Sequence, residues 1–111
     1  MAAPSAKVID TCRLWVGNVT IGVSRAYATT RLTELGCEEL QEVAIFHREN
    51  HQGPTQDASL VLTFGDQDSC GRSLAALQSA RPPTGLEWPG KRLIVRYAFK
   101  RQAPQWYVVK M

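Results

Sequence analysis

The sequence predicts an α+β sandwich with elements in the order β-α-β-β-α-β, one face of the sheet covered by helices and the other left open. Three observations predict it. Apolar residues alternate at the two-residue period of a strand in 12–19, 42–48, 58–64 and 91–98. The stretches 24–35 and 66–80, between the first and second and the third and fourth of these, carry apolar residues at helical spacing. Finally, 111 residues with 44% hydrophobic and 21% charged side chains match one globular domain. A chain of this length buries enough surface for an independent core, without disulfide or metal staples.

Residues 1–10 are small and polar and read as a loose N-terminal arm. Cys12-Arg13-Leu14-Trp15-Val16-Gly17-Asn18-Val19 is the first strand, and Gly17-Asn18 is expected to close it. Ser24 then suits a helix N-cap, Ala28, Leu32 and Leu35 supply one apolar stripe, and Gly36 suits the stop. Residues 42–48 form the second strand, with Val43 and Ile45 on one face and Ala44 and Phe46 on the other. The segment 49–57, centred on Gly53-Pro54, has the chemistry of a loop. In the third strand, 58–64, Leu60, Leu62 and Phe64 share one face, and Ser59, Val61 and Thr63 the other.

Asp66 and Asp68 are capping candidates for the second helix, which carries Cys70, Leu74 and Leu77 on its apolar stripe. Gly71 weakens it by ~1 kcal/mol relative to alanine, and 81–85, with Pro82-Pro83, ends it. The fourth strand is expected over 91–98, after Trp88-Pro89-Gly90. The remainder contains Trp106-Tyr107-Val108-Val109, too apolar for a solvated tail.

Composition and motifs narrow the function. The formal charge of +3, from 13 Lys and Arg against 10 Asp and Glu, is compatible with a polyanionic partner without requiring one. No apolar run approaches the ~20 residues needed to span a bilayer, and the start lacks the pattern of a secretory signal. An intracellular, reducing location, nuclear or cytoplasmic, is therefore expected, with no membrane partner. Cys12, Cys37 and Cys70 are odd in number and without a C-x-x-C pair, which speaks for free thiols. His47, Glu49 and His51 lack a further ligand at a metal-site spacing and read as solvated loop residues. No nucleophile elbow, phosphate-binding glycine loop or paired carboxylate motif is present, so neither catalysis nor a cofactor is expected.

Leu14-Trp15-Val16-Gly17-Asn18-Val19 meets every position of the aliphatic-aromatic-aliphatic-x-Asn-aliphatic hexamer of one family, and Gly90, Leu93, Val95 and Ala98 fall at the spacing of its last strand. Over Arg13 to Ala98 the chain thus resembles an RNA recognition motif. The resemblance implies a ferredoxin-like fold over 11–99, a four-stranded antiparallel sheet backed by two helices, with a C-terminal extension at 100–111. It also implies single-stranded RNA as ligand and Trp15 as a base-stacking ring. The family's octamer motif departs here. In Asp57-Ala58-Ser59-Leu60-Val61-Leu62-Thr63-Phe64 its leading basic residue is Asp57, and its two stacking rings are Ser59 and Val61. A base on an aromatic ring gains ~1–3 kcal/mol, so their loss removes a large part of the usual affinity.

The expected open face has an apolar centre of Trp15, Phe46, Val61 and Ile94 with Arg92 and Arg96 to one side. Lys91, Arg92, Arg96, Lys100 and Arg101 carry five positive charges with no acid among them over 91–101, suited to phosphate contact. Trp15 has two readings: a nucleobase platform, or a ring covered by the extension or by a protein partner. Phe46 is either a second hydrophobic surface for the ligand or a contact for the extension. Asn18 is expected to shape the turn after the first strand. Single-stranded RNA binding through Trp15, Phe46, Ile94 and the basic residues is the first expectation. The alternative is a protein-interaction module within a ribonucleoprotein complex, using the apolar sheet face, the acidic stretch Glu34, Glu38, Glu39 and Glu42, or the extension. The missing rings favour the alternative, and the basic fourth strand favours RNA.

Overall fold

The computed structural model describes residues 9–50 and 53–100, with side chains over 9–47 and 57–100. The elements follow the expected order: β1 (Ile9–Thr20), α1 (Arg25–Glu34), β2 (Leu40–Asn50), β3 (Gly53–Phe64), α2 (Gln67–Ser79) and β4 (Ile94–Phe99). The strands form one antiparallel sheet in the order β2-β3-β1-β4, so the first and third strands lie at its centre.

Alternation decides which side of the sheet is buried. Leu14 and Val16 of β1, Leu60, Leu62 and Phe64 of β3, Val43 of β2 and Val95 of β4 point into the core. There they meet Ala28 and Leu32 of α1 and Cys70 and Leu77 of α2, while Leu74 packs at the margin. Burying each large aliphatic side chain stabilises the fold by roughly 1.5–3 kcal/mol.

Local chemistry sets the helix ends. The Ser24 hydroxyl accepts the Tyr27 N–H at 3.1 Å and starts α1. At the other end Gly36 takes φ +112°, the Gly36 N–H donates to the Thr33 carbonyl at 3.1 Å, and the Cys37 N–H donates to the Leu32 carbonyl at 3.0 Å. This paired pattern, with Leu32 and Cys37 both in the core, terminates the helix. Asp66 caps α2 by accepting the Ser69 N–H at 2.7 Å, and Asp68 sits in the first turn instead of capping.

Four expectations about element ends need correction. Asn18 does not close the first strand: it sits at φ +63° within a bulge between Val16 and Val19, and β1 continues to Thr20. Asparagine tolerates this left-handed backbone better than most residues. Ile9 and Asp10, expected in the arm, belong to β1 and pair with Phe99 and Ala98. The segment 49–57 is not a loop, because Glu49 pairs with Pro54 and Asn50 with Gly53. Pairing of β3 with β1 ends at Asp57↔Thr20, so beyond it β3 pairs, among the described residues, with β2 alone, and proline is tolerated there.

The fourth correction bears on the site. β4 begins at Ile94, so Lys91 and Arg92 precede the strand. Past Gly17↔Ile94 the edge of β1 is already occupied: the Thr20 N–H donates to the Leu86 carbonyl at 2.9 Å, and the Trp88 N–H to the Asn18 carbonyl at 2.8 Å. A turn then follows, with the Lys91 N–H donating to the Trp88 carbonyl at 2.9 Å and Gly90 at φ +81°. Asn18 Nδ2 donates to the Arg92 carbonyl at 2.9 Å and ties this turn to the bulge.

Candidate nucleic-acid interface

The sheet face opposite the helices carries the candidate site. Trp15 lies at its centre, paired with Val61 on β3 and with Arg96 on β4. An added Cβ at Gly17 would fall 2.3 Å from Cη2 and 2.7 Å from Cζ3 of Trp15. The benzo ring of the indole therefore lies over Gly17, and only a residue without a side chain leaves it that room.

Above this ring sits a cation. The Arg96 guanidinium carbon is 4.5 Å from the Trp15 ring centroid and 5.8 Å from that of Phe99. At a half-exposed site such a contact contributes roughly 0.5–1 kcal/mol. It also holds a planar group with several N–H donors against the aromatic surface.

Two cavities flank the indole. One, about 260 Å³, is lined by Arg13, Trp15, Phe46, Val61, Arg96 and Phe99, among others. Its apolar rings lie outside the third strand: Phe46 comes from β2 and Phe99 from β4, and they are 46% and 43% exposed. The second, about 350 Å³, lies toward the other end of the face and is lined by Trp15, Asn18, Asp57, Ser59, Ile94 and Arg96, with Gly17 and Ala58. Ile94, at 49% exposure, is its apolar wall.

Trp15, Phe46, Ile94 and Arg96 are thus brought together on one face. Lys91 and Arg92 are not. They line a separate cavity with Pro82, Pro83, Glu87 and Pro89, because the turn before β4 carries them off the strand. Lys100 follows β4 directly and is exposed, whereas Arg101 and the apolar 105–109 segment lie outside the described residues.

Sequence reasoning missed Arg13 and Phe99. Arg13 lies two residues before Trp15 in the first strand, so the same alternation that turns the indole outward turns Arg13 outward. Phe99 escaped because the strand was expected to end one residue earlier.

The acidic stretch is partly neutralised within the domain. Arg31 Nη1 lies 3.3 Å from Glu34 Oε1, and Arg72 Nε lies 2.9 Å from Glu38 Oε2. Such exposed pairs contribute little stability, but they leave Glu39 and Glu42 as the more acidic part of that surface. His47 is exposed, and His51 falls outside the described residues. No group of three potential metal ligands comes together among the described residues, and no described helix is long and apolar enough to cross a membrane.

No family model and no curated protein matches the chain. Solved structures do. The crystal structure of RNA binding protein PG1 matches with a TM-score of 0.54 at 21% identity, covering 83% of this chain and 99% of that one. Pes4 RRM3 matches with a TM-score of 0.56 at 12% identity, covering 84% and 98%. The solution structure of the C-terminal RNA recognition motif of hypothetical RNA-binding protein RBM19 matches with a TM-score of 0.57 at 17% identity, covering 94% and 90%. Together with the β2-β3-β1-β4 sheet and its two helices, these likenesses establish that the chain has the fold of an RNA recognition motif domain.

Proposed function

We propose that the domain binds single-stranded RNA across its open sheet face. The observation that carries this reading is the indole of Trp15, laid over Gly17 at the centre of the face with Phe46 and Phe99 beside it, on whose outer side a base takes the place of the Arg96 guanidinium. A base has a π-face whatever its sequence, and it gains ~1–3 kcal/mol on such a ring. Phe46 and Phe99 stand at the sides of the face where Ser59 and Val61 of β3 offer no ring. Arg13, Arg96 and Lys100 place positive charge along the same surface for the phosphates. That RNA-binding proteins are among the similar structures supports the reading. Lys91 and Arg92 form a second basic group at the end of the sheet, outside this face.

A second reading, a protein-interaction surface, is favoured by the exposed Ile9, Phe46, Ile94 and Phe99, which an apolar partner would cover. One experiment separates the two. Labelled random single-stranded RNA is titrated at low and moderate salt with wild type, Trp15→Ala and Arg96→Ala. Salt-sensitive binding weakened in both variants supports the RNA reading, and absence of binding to the wild type overturns it. Unchanged binding in Trp15→Ala removes the stacking role.

A further inference from the structure

We propose that the turn before β4 is a phosphate-binding extension of the sheet face. Lys91 and Arg92 take the backbone of the single-stranded RNA where it leaves the face past Ile94, an inference that deepens the RNA-binding reading and rests on it. The turn borders a cavity of about 640 Å³ whose walls include Pro82, Pro83, Pro89, Lys91 and Arg92. Arg92 also lines a neighbouring cavity of about 230 Å³, together with Arg81. Over 81–95 these three cations are accompanied by a single acid, Glu87.

Glu87 is occupied elsewhere. Its carboxylate accepts the Thr84 N–H at 2.8 Å, the Thr84 hydroxyl at 2.6 Å and the Gly85 N–H at 3.2 Å. Ion pairs among the described residues join Arg31 to Glu34 and Arg72 to Glu38, so the exposed side chains of Lys91 and Arg92 have no acid at ion-pair distance there. Their backbone, by contrast, is fixed. The Trp88 N–H donates to the Asn18 carbonyl at 2.8 Å, the Lys91 N–H to the Trp88 carbonyl at 2.9 Å, and Asn18 Nδ2 to the Arg92 carbonyl at 2.9 Å. Two uncompensated charges on a pre-set backbone bind an anion at a reduced cost in ordering.

Asn18 links this turn to the sheet face. It lines the cavity beside Trp15 and Ile94, and its side chain holds the Arg92 carbonyl. Ile94 follows Arg92 by two residues, at most about 7 Å of chain. Asp57, the acid in that cavity, belongs to β3, across β1 from β4. A polyanion that leaves on the β4 side therefore moves away from it. Among the described residues that line the larger cavity none is aromatic, so a base finds no ring to stack on. Lys91 supplies an ammonium and Arg92 a planar fork, both suited to phosphate oxygens. The turn thus recognises backbone and not sequence.

The test is fluorescence anisotropy of a labelled uridine decamer over a series of salt concentrations, with wild type, the double variant Lys91→Gln/Arg92→Gln, and Arg25→Gln. Each phosphate contact adds about 0.7 to the slope of log affinity against log salt for a single strand. The double variant is expected to lose about 1.4 of that slope and to bind on the order of tenfold more weakly near 0.1 M salt. Arg25→Gln, which removes an exposed charge at the start of α1, keeps the wild-type slope. A wild-type slope in the double variant overturns the phosphate site while the RNA reading stands, and leaves these cations to solvent or to an acidic protein partner. An equal loss per charge in Arg25→Gln also overturns it, because the effect is then one of net charge alone. If the decamer does not bind the wild type, both readings fall. Thermal melting checks that the double variant folds, and if it does not, Arg92→Gln alone, with an expected loss of about 0.7, decides the matter.

Discussion

Gly17→Ala isolates the platform without touching the platform residue. The added methyl carbon would stand 2.3 Å from Cη2 and 2.7 Å from Cζ3 of Trp15. Carbon atoms rest comfortably at about 3.5–4.0 Å, so the ring must withdraw by about 1 Å or more. Gly17 does not use a left-handed backbone, so alanine introduces no strain of its own. In a strand it recovers roughly 0.5–1 kcal/mol relative to glycine. The cost falls on the indole, which loses its seat and its register with Arg96. Loss of one base stack corresponds to ~1–3 kcal/mol, a weakening of RNA affinity by about 5- to 150-fold. Anisotropy titrations with single-stranded RNA read this loss, and thermal melting should show little change in stability. In a Trp15→Ala background the same substitution should have no further effect on binding, which a double-mutant cycle measures. Gly17→Ala binding RNA as the wild type does would refute the reasoning. So would an equal loss with and without the indole.

Three further outcomes follow from the core and the loops. Leu62→Ala, at a fully buried position, should cost about 2–5 kcal/mol and lower the melting temperature on the order of 10 °C or more, as calorimetry would show. Glu87 titrates below the usual carboxylate range: burial works against this, but the Thr84 hydroxyl and the Thr84 and Gly85 N–H groups outweigh it. Its contribution to stability is present above the unfolded carboxylate pKa of about 4.3 and is lost as pH falls through the lower folded value. The gap in melting temperature between wild type and Glu87→Gln should therefore shrink on acidification. Among the thiols, burial pushes Cys37 up to about 11 and Cys70 up to about 12, while Cys12 is half-exposed. A thiol reagent should label Cys12 in the native protein and reach the other two only on unfolding.

What the sequence disclosed was what local chemistry determines. The alternation of Leu60, Leu62 and Phe64 against Ser59, Val61 and Thr63 separated core from open face, and Ser24, Gly36 and Asp66 marked helix ends that the structure keeps. What it concealed depends on distant partners. The start of β4 is set by residues 86–88 holding the edge of β1, a bond pattern no window of 91–98 contains. The hairpin of β2 and β3 runs on through Pro54, beyond the last pairing of β3 with β1 at Asp57↔Thr20, where a proline breaks no described bond to β1. Of the proposed site, the placing of Trp15, Phe46, Ile94 and Arg96 on one face was legible. The Trp15–Arg96 stack was not, because it arises from the cross-strand register of β1 with β4. Asp57 was visible as a departure from a motif, but its place beside Ile94 and Arg96 required the folded sheet.

The central claim, that the sheet face around Trp15 receives the ligand, is tested most directly by nuclear magnetic resonance during titration with a short single-stranded RNA. The account predicts that the Trp15 indole N–H signal shifts with saturation, accompanied by the amides of Gly17, Ser59, Val61, Ile94 and Arg96, while those of Ala28, Leu32 and Ser73 on the helical side stay in place. An unmoved Trp15 signal, with shifts gathered on the helices or around Glu39 and Glu42, would contradict it.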